Sequence, residues 1–208
     1  MFVPIQYFLG AIAMKLKKNI IIFGPSRSGK TSLAIRLSKK LKYSVVMCDS
    51  LVSAFEQTFP ELEITHKNRN GESVNNLKPF LLNYMRTCSS RSKARRGLDY
   101  VYEGSYFDFD MLMSHEIQKR HIVIFLLNPY ERVEDYFHQL KTHDKKHDWT
   151  YELSDEKLLD YCNVLKSHND YLLTLYQQHN IQYYNTSTNR KKVLNKIVRK
   201  TKKMIKMN

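Results

Sequence analysis

The chain is expected to form an α/β domain around a five-stranded parallel sheet with helices on both faces. Three observations predict this. Five short apolar runs alternate with helical patterns along the chain. The first run, Asn19–Phe23, has no in-out alternation, as suits a strand covered on both sides. It stops at a glycine and, a few residues later, an amphipathic helix begins. At 208 residues, 42% hydrophobic and 26% charged, the chain can bury the core of one domain.

The elements follow in order. Residues 1–13 carry a short apolar stretch with basic residues after it, the reverse of a secretory signal, and too short for a span, which needs about 18 apolar residues. Met14 begins an ordinary start ("MKLKKNIIIFG"), so residues 1–13 are expected to be an extension. Asn19–Phe23 is the first strand. Lys30–Leu41 is a helix with Leu33, Leu37 and Leu41 on one face. Tyr43–Cys48 is the second strand, Asp99–Tyr102 the third, ending at Glu103-Gly104, His121–Leu127 the fourth and Ile181–Tyr184 the fifth.

Asn128 is placed to cap a helix with Pro129 in its first turn, Glu131 completing a capping box and Val133, Tyr136, Phe137 and Leu140 on its apolar face. Ser154 caps another, with Asp155 and Glu156 at its positive end; Leu158, Cys162, Leu165, Leu172 and Tyr176 keep helical spacing until Asn180. Two long segments break the rhythm, Glu56–Arg96 and Lys141–Tyr151. Both follow strands on the side where such sheets bind ligands, where long connections serve as binding flaps. The chain therefore divides into the extension 1–13, a domain 14–189 containing a substrate-binding segment (56–96) and a lid region (129–151), and a basic helix 190–208.

Three cysteines, Cys48, Cys88 and Cys162, form neither a disulfide framework nor a zinc pattern, which fits a reducing cytoplasm. No segment is apolar for long enough to span a membrane. The net charge is +14, and its excess is concentrated in Arg190–Lys206, which holds Arg190, Lys191, Lys192, Lys196, Arg199, Lys200, Lys202, Lys203 and Lys206 and no acid. That segment suits a nucleic-acid or acidic surface. It equally suits a solvated helix packed through Val193, Leu194, Ile197, Val198 and Ile205. His138, His143 and His147 share a stretch of chain with Asp144 and Asp148, at spacings that match no standard zinc site. Trp149 is read as an anchor of the lid helix to the core.

The chemistry is carried by Gly24-Pro25-Ser26-Arg27-Ser28-Gly29-Lys30-Thr31, followed by Ser32, which matches G-x-x-x-x-G-K-[ST]. Inward-turned backbone N–H groups surround a phosphate, and the helix opening at Lys30 aims its positive end at the same anion. Lys30 neutralises the outer phosphates, and the Thr31 hydroxyl is suited to Mg²⁺. The strand before and the amphipathic helix after supply the context that this motif requires.

With that loop the sequence resembles the P-loop kinases of the nucleoside and nucleotide kinase group, adenylate-kinase-like and uridine-kinase-like, from Met14 to about Ser187. The resemblance implies ATP and Mg²⁺ as cofactors, a substrate-binding region after the second strand and a lid after the fourth. Asp49, in "VVMCDSL", resembles the aspartate that takes the hydroxyl proton in uridine-kinase-like enzymes, zeta-toxin-like enzymes and chloramphenicol phosphotransferases. Base, metal organiser and helix cap all remain open for it. Glu103, in "YEGSYF", resembles the acid that holds Mg²⁺ through water, or else simply ends a strand. The resemblance also implies lid arginines that offset charge on the transferring phosphoryl group, here Arg132, with Lys141, Lys145 and Lys146 nearby. On the substrate side stand Arg69, Arg86, Arg91, Arg95 and Arg96, of which Arg86 is suited to a substrate phosphate.

The expected activity is thus transfer of the γ-phosphoryl group to a hydroxyl or phosphate of a small acceptor, such as a nucleoside, nucleotide or small alcohol, by a monomer or homodimer. A hydroxyl acceptor puts the weight on Asp49, a phosphate acceptor on Arg86. The alternative is a nucleic-acid-associated P-loop NTPase or nucleotide-dependent regulatory protein that uses Arg190–Lys206.

Overall fold

The computed structural model describes residues 19–67, 71–94, 99–146 and 148–207. The expected extension 1–13, Arg69, Arg95, Arg96 and His147 lie outside the described residues, as does the side chain of Arg91. In chain order the elements are β1 (Asn19–Phe23), α1 (Lys30–Leu41), β2 (Ser44–Met47), α2 (Cys48–Thr58), α3 (Glu72–Ala94), β3 (Tyr100–Gly104), α4 (Phe109–Met113), α5 (His115–Arg120), β4 (His121–Leu127), α6 (Val133–His143), α7 (Asp155–Gln178), β5 (Tyr183–Asn185) and α8 (Arg190–Met207). The five strands are all parallel and lie in the order β2-β3-β1-β4-β5. β1 occupies the centre, and every residue in it is buried. This explains why its sequence shows no alternation.

The two faces of the sheet are set by strand parity. Ile21, Phe23, Tyr102, Phe125 and Leu127 point to one side, where Val52, Leu77, Leu81, Met85, Leu172 and Tyr176 cover them. Ile20, Ile22, Val101, Ile122, Ile124 and Leu126 point to the other, under Leu33, Ala34 and Leu37 of α1 and Leu194 and Ile197 of α8. The basic C-terminal segment is therefore a packed helix with a buried apolar stripe and a cationic outer face. A smaller cluster packs Tyr136 and Leu140 of α6 against Leu158, Cys162 and Leu165 of α7.

Three boundaries differ from expectation. Asn128 does not cap α6. It is buried, and its N–H donates to Asn169 Oδ1 of α7 (3.1 Å), so the chain stays extended and α6 starts at Val133 behind Arg132. The last strand begins at Tyr183, because Ile181 is still held to the end of α7 by its N–H bond to the Tyr176 carbonyl (2.8 Å). The second strand ends at Met47 and not at Cys48: α2 starts at Cys48, directly after β2, and Asp49 stands exposed in its first turn. Ser154 does cap α7, accepting from the Lys157 N–H, and Asn180 just beyond takes a left-handed φ of 52°.

Candidate functional site

The order of the sheet puts its switch point beside β1. The chain leaves β1 toward β2 on one side, and leaves β3 for β4 on the other. Ligands of open α/β sheets bind at the carboxyl ends of the strands at such a point. The loop Gly24–Ser28 lies there, at the end of β1. The register Ile22↔Glu103 and Phe23↔Gly104 sets Glu103 alongside it.

The loop has a built interior. Ser28 Oγ donates to the Pro25 carbonyl (2.8 Å), and the buried Lys30 donates its Nζ proton to the same oxygen (2.8 Å). Gly29 has a φ of 89°, a conformation that a side chain would strain. The Thr186 hydroxyl donates to the Ser28 carbonyl (3.0 Å), tying the loop to the segment between β5 and α8. Thr31 and Ser32 occupy the exposed outer side of the first turn of α1.

Glu103 is the buried acid of the site. The Thr31 hydroxyl donates to its Oε1 (3.0 Å), while its Oε2 is buried without a hydrogen-bond partner. Burial holds its carboxyl above the usual range. Lys30 and the Thr31 hydrogen bond pull it down, and Asp49 pushes it up again. Lys30, Thr31, Asp49 and Glu103 therefore share one electrostatic neighbourhood. Cys48, buried between Asp49 and the end of β3, has its thiol pushed well up, by burial first and then by Glu103 and Asp49, so it is an inert thiol and no nucleophile.

The donor set fits Mg²⁺. The Thr31 hydroxyl and the Glu103 carboxylate are hard oxygen donors, and an unpartnered buried carboxylate oxygen is stabilised by a cation beside it. A carboxyl that holds its proton more tightly folded than unfolded contributes stability that is full below its unfolded pKa and lost as pH rises through the folded one. Glu103→Gln is therefore expected to melt above the parent protein near neutral pH in a chelating buffer, with the gap closing on acidification. Added Mg²⁺ should then stabilise the parent more than the variant. Thermal denaturation over a pH series, with and without Mg²⁺, measures both effects.

Of the arginines expected at the site, Arg86 is elsewhere and Arg132 is paired within its own helix. Arg86 lies far along α3, with both its Nε and Nη2 donating to Glu116 of α5 (3.0 and 2.9 Å), next to His121. His121 is the first residue of β4, so Arg86 sits at the amino edge of the sheet, opposite the loop. Arg132 stands at the start of α6, 71% exposed, and is held by Asp135 one turn on (3.0 Å). Lys141 is paired with Asp155, and Trp149 is exposed against Tyr161.

The segment after α6 reaches the loop through Arg27. Arg27 takes a φ of 63°, and its guanidinium meets Asp144 Oδ1 (3.0 Å), Asp148 Oδ1 (3.3 Å) and the Thr150 hydroxyl, which also bonds Asp144. Asp144 and Thr150 are largely buried by this contact. The two aspartates of the His/Asp-rich segment thus serve as the partners of Arg27. Arg27→Gln is expected to speed amide exchange in residues 141–151 while leaving β1 and β4 protected; hydrogen exchange read by mass spectrometry decides it.

Gly104 was also missed. A Cβ there would stand 2.6 Å from Cys48 Cβ, so the glycine lets β3 pass close under the turn that carries Asp49. The signal for it was in the sequence, as the glycine after Glu103, but its neighbour is 56 residues earlier in the chain.

No family model matches the chain. Among solved structures, shikimate kinase from Bacteroides thetaiotaomicron has a similar fold (TM-score 0.52, 16% identity, covering 91% of this chain and 98% of that one). A gluconokinase from Sinorhizobium meliloti 1021 also has a TM-score of 0.52, at 11% identity, covering 92% of this chain and 95% of that one. The chain thus shares its fold with these two kinases. Over 70 residues, 34% of the chain, it is 36% identical to tRNA dimethylallyltransferases of Aster yellows witches'-broom phytoplasma (strain AYWB) and Onion yellows phytoplasma (strain OY-M). The match spans 22% of the length of each of those relatives. No helix among the described residues is long and apolar enough to cross a membrane.

Proposed function

We propose that the protein is an ATP-dependent kinase that transfers the γ-phosphoryl group to a hydroxyl of a small molecule. The observation that carries this reading is the grouping of Lys30, Thr31, Asp49 and Glu103 around a glycine loop at the switch point of a kinase-type sheet. The loop amides and Lys30 bind the polyphosphate of ATP. Thr31 and Glu103 are the residues that would hold Mg²⁺, which when bound offsets phosphate charge. Asp49, exposed in the first turn of α2, accepts the proton of the attacking hydroxyl. The acceptor oxygen bonds to the γ-phosphorus, the bond to the bridging oxygen of ATP breaks, and ADP leaves. Arg27 links the loop to the lid that excludes water. The buried, unpaired state of Cys48, Cys88 and Cys162 supports a reducing, cytoplasmic setting. The test is a melting shift with Mg²⁺-ATP, together with transfer of labelled phosphate from ATP to small alcohols; absence of both overturns the reading.

A second reading is a nucleic-acid-associated P-loop protein. It is favoured by the partial match to tRNA-modifying enzymes and by the outer face of α8, where Lys191, Lys192, Lys196 and Arg199 line an open hollow of about 560 Å³. It requires RNA or DNA binding that weakens steeply with salt and is lost when these four residues are changed to glutamine. Gel shifts at two salt concentrations separate it from the kinase reading.

A further inference from the structure

We propose that the cleft between the start of α3, the turn after β3 and the middle of α7 is the acceptor pocket. We further propose that the acceptor is an uncharged or cationic alcohol, of the class of nucleosides and amino sugars, and not a phosphate ester or hydroxy acid. This rests on the kinase reading above. The cleft has a volume of about 580 Å³, within the range of small-molecule sites. Phe23, the residue before Gly24, and Ser105, two residues after Glu103, both lie on its wall, so it opens from the same strand ends as the phosphate loop.

Three features define what it takes. Ser105 is 8% exposed and lines the cleft, so it sets a hydroxyl, both donor and acceptor, on the wall. A substrate hydroxyl is a natural partner for such a group. Phe107, Phe109 and Tyr171 give the cleft flat aromatic walls, which favour a ring or an ammonium group. Its lining carries two carboxylates, Asp108 and Asp110, and two imidazoles, His168 and His179. Asp108 caps the Met111 N–H (2.9 Å) and pairs with Lys78 (2.6 Å), whereas Asp110 is exposed on the wall and forms no ion pair among the described residues. No arginine or lysine lines the cleft among the described residues. A phosphate or carboxylate there would face the Asp110 carboxylate, and like charges in contact are what interfaces use to reject ligands. Arg86, the side chain best suited to a substrate phosphate by sequence, is bound to Glu116 at the other edge of the sheet.

The experiment measures kcat/KM with labelled ATP for adenosine, cytidine and glucosamine against the corresponding nucleoside monophosphates, shikimate and gluconate. A preference of tenfold or more for a member of the first group is the expected result. Preference for an anionic acceptor overturns this inference and leaves the kinase reading standing, as does a Mg²⁺-ATP melting shift without transfer to any member of the first group. Absence of both transfer and melting shift overturns the kinase reading itself. Asp110→Lys, a surface change that should leave the fold intact, is expected to raise KM for glucosamine at least tenfold with little change in the ATP melting shift. An unchanged KM overturns the placement of the pocket. Ser105→Ala is expected to raise KM for every accepted alcohol, and parity with the parent counts against the role given to its hydroxyl.

Discussion

Replacing Lys30 by alanine is expected to lower phosphoryl transfer by about a hundredfold or more, the scale on which a preorganised charge in a dry site acts. The argument is electrostatic. Lys30 is buried at the loop, its ammonium held on the Pro25 carbonyl and close enough to Glu103 to pull that carboxyl's proton affinity down. A buried ammonium held on a backbone carbonyl is preorganised for a polyphosphate, because the cost of its desolvation is met on folding and not at binding. Two readouts keep the outcome interpretable. Circular dichroism should match the parent, since the side chain removed contributes no apolar core. The Mg²⁺-ATP melting shift should shrink sharply, because the amides of the loop remain but their cation is gone. A variant that folds and transfers phosphate at the parental rate removes the basis of the proposed mechanism. Lys30→Met, which keeps most of the side-chain volume, guards against a packing explanation.

The parts of this molecule that were legible in the sequence are those fixed by local pattern. β1 and α1 were bounded to the residue, because an unbroken apolar run, a glycine loop and a helical repeat lie within 23 residues. β4 was equally clear, as a seven-residue run with no polar residue after its first, His121. Asn128 was misread because its cap chemistry is local, while the bond that holds it, from its own N–H to Asn169 Oδ1, is made across 41 residues. Arg86 was misplaced for a related reason. Its helical spacing was correct, but which end of a 23-residue helix faces the loop depends on where the next strand begins. Arg27 stood in the motif as an unspecified position, and nothing in the motif reveals a guanidinium turned toward Asp144, 117 residues away. Asp49 and Glu103 were singled out separately; their common field with Lys30 arises from the parallel pairing of β2 and β3, which places Met47 opposite Glu103.

Asp49→Asn is expected to remove activity toward a hydroxyl acceptor almost completely, by roughly two to four orders of magnitude for loss of a general base. The position is favourable for that role. It is exposed at the carboxyl edge, in the first turn of α2, and near enough to Glu103 to raise that carboxyl's proton affinity. Its main-chain setting is held by Gly104 passing beneath Cys48, so the carboxylate is carried on rigid structure and not on a loop. Asparagine keeps the size of the side chain, and Asp49 does not cap α2, whose N-cap is Met47, so a loss of rate can be assigned to the proton acceptor. Were Asp49 only a polar residue of the first turn, the variant would retain its rate. Were the acceptor a phosphate, already ionised, it would need no base and the loss would be small. Arg86→Ala supplies the contrast. Its partner Glu116 and its place at the amino edge give it no route to the transferred group, so KM and kcat should stay at parental values. A rise in KM for that variant with little effect from Asp49→Asn would reverse the assignment and make the acceptor a phosphate ester.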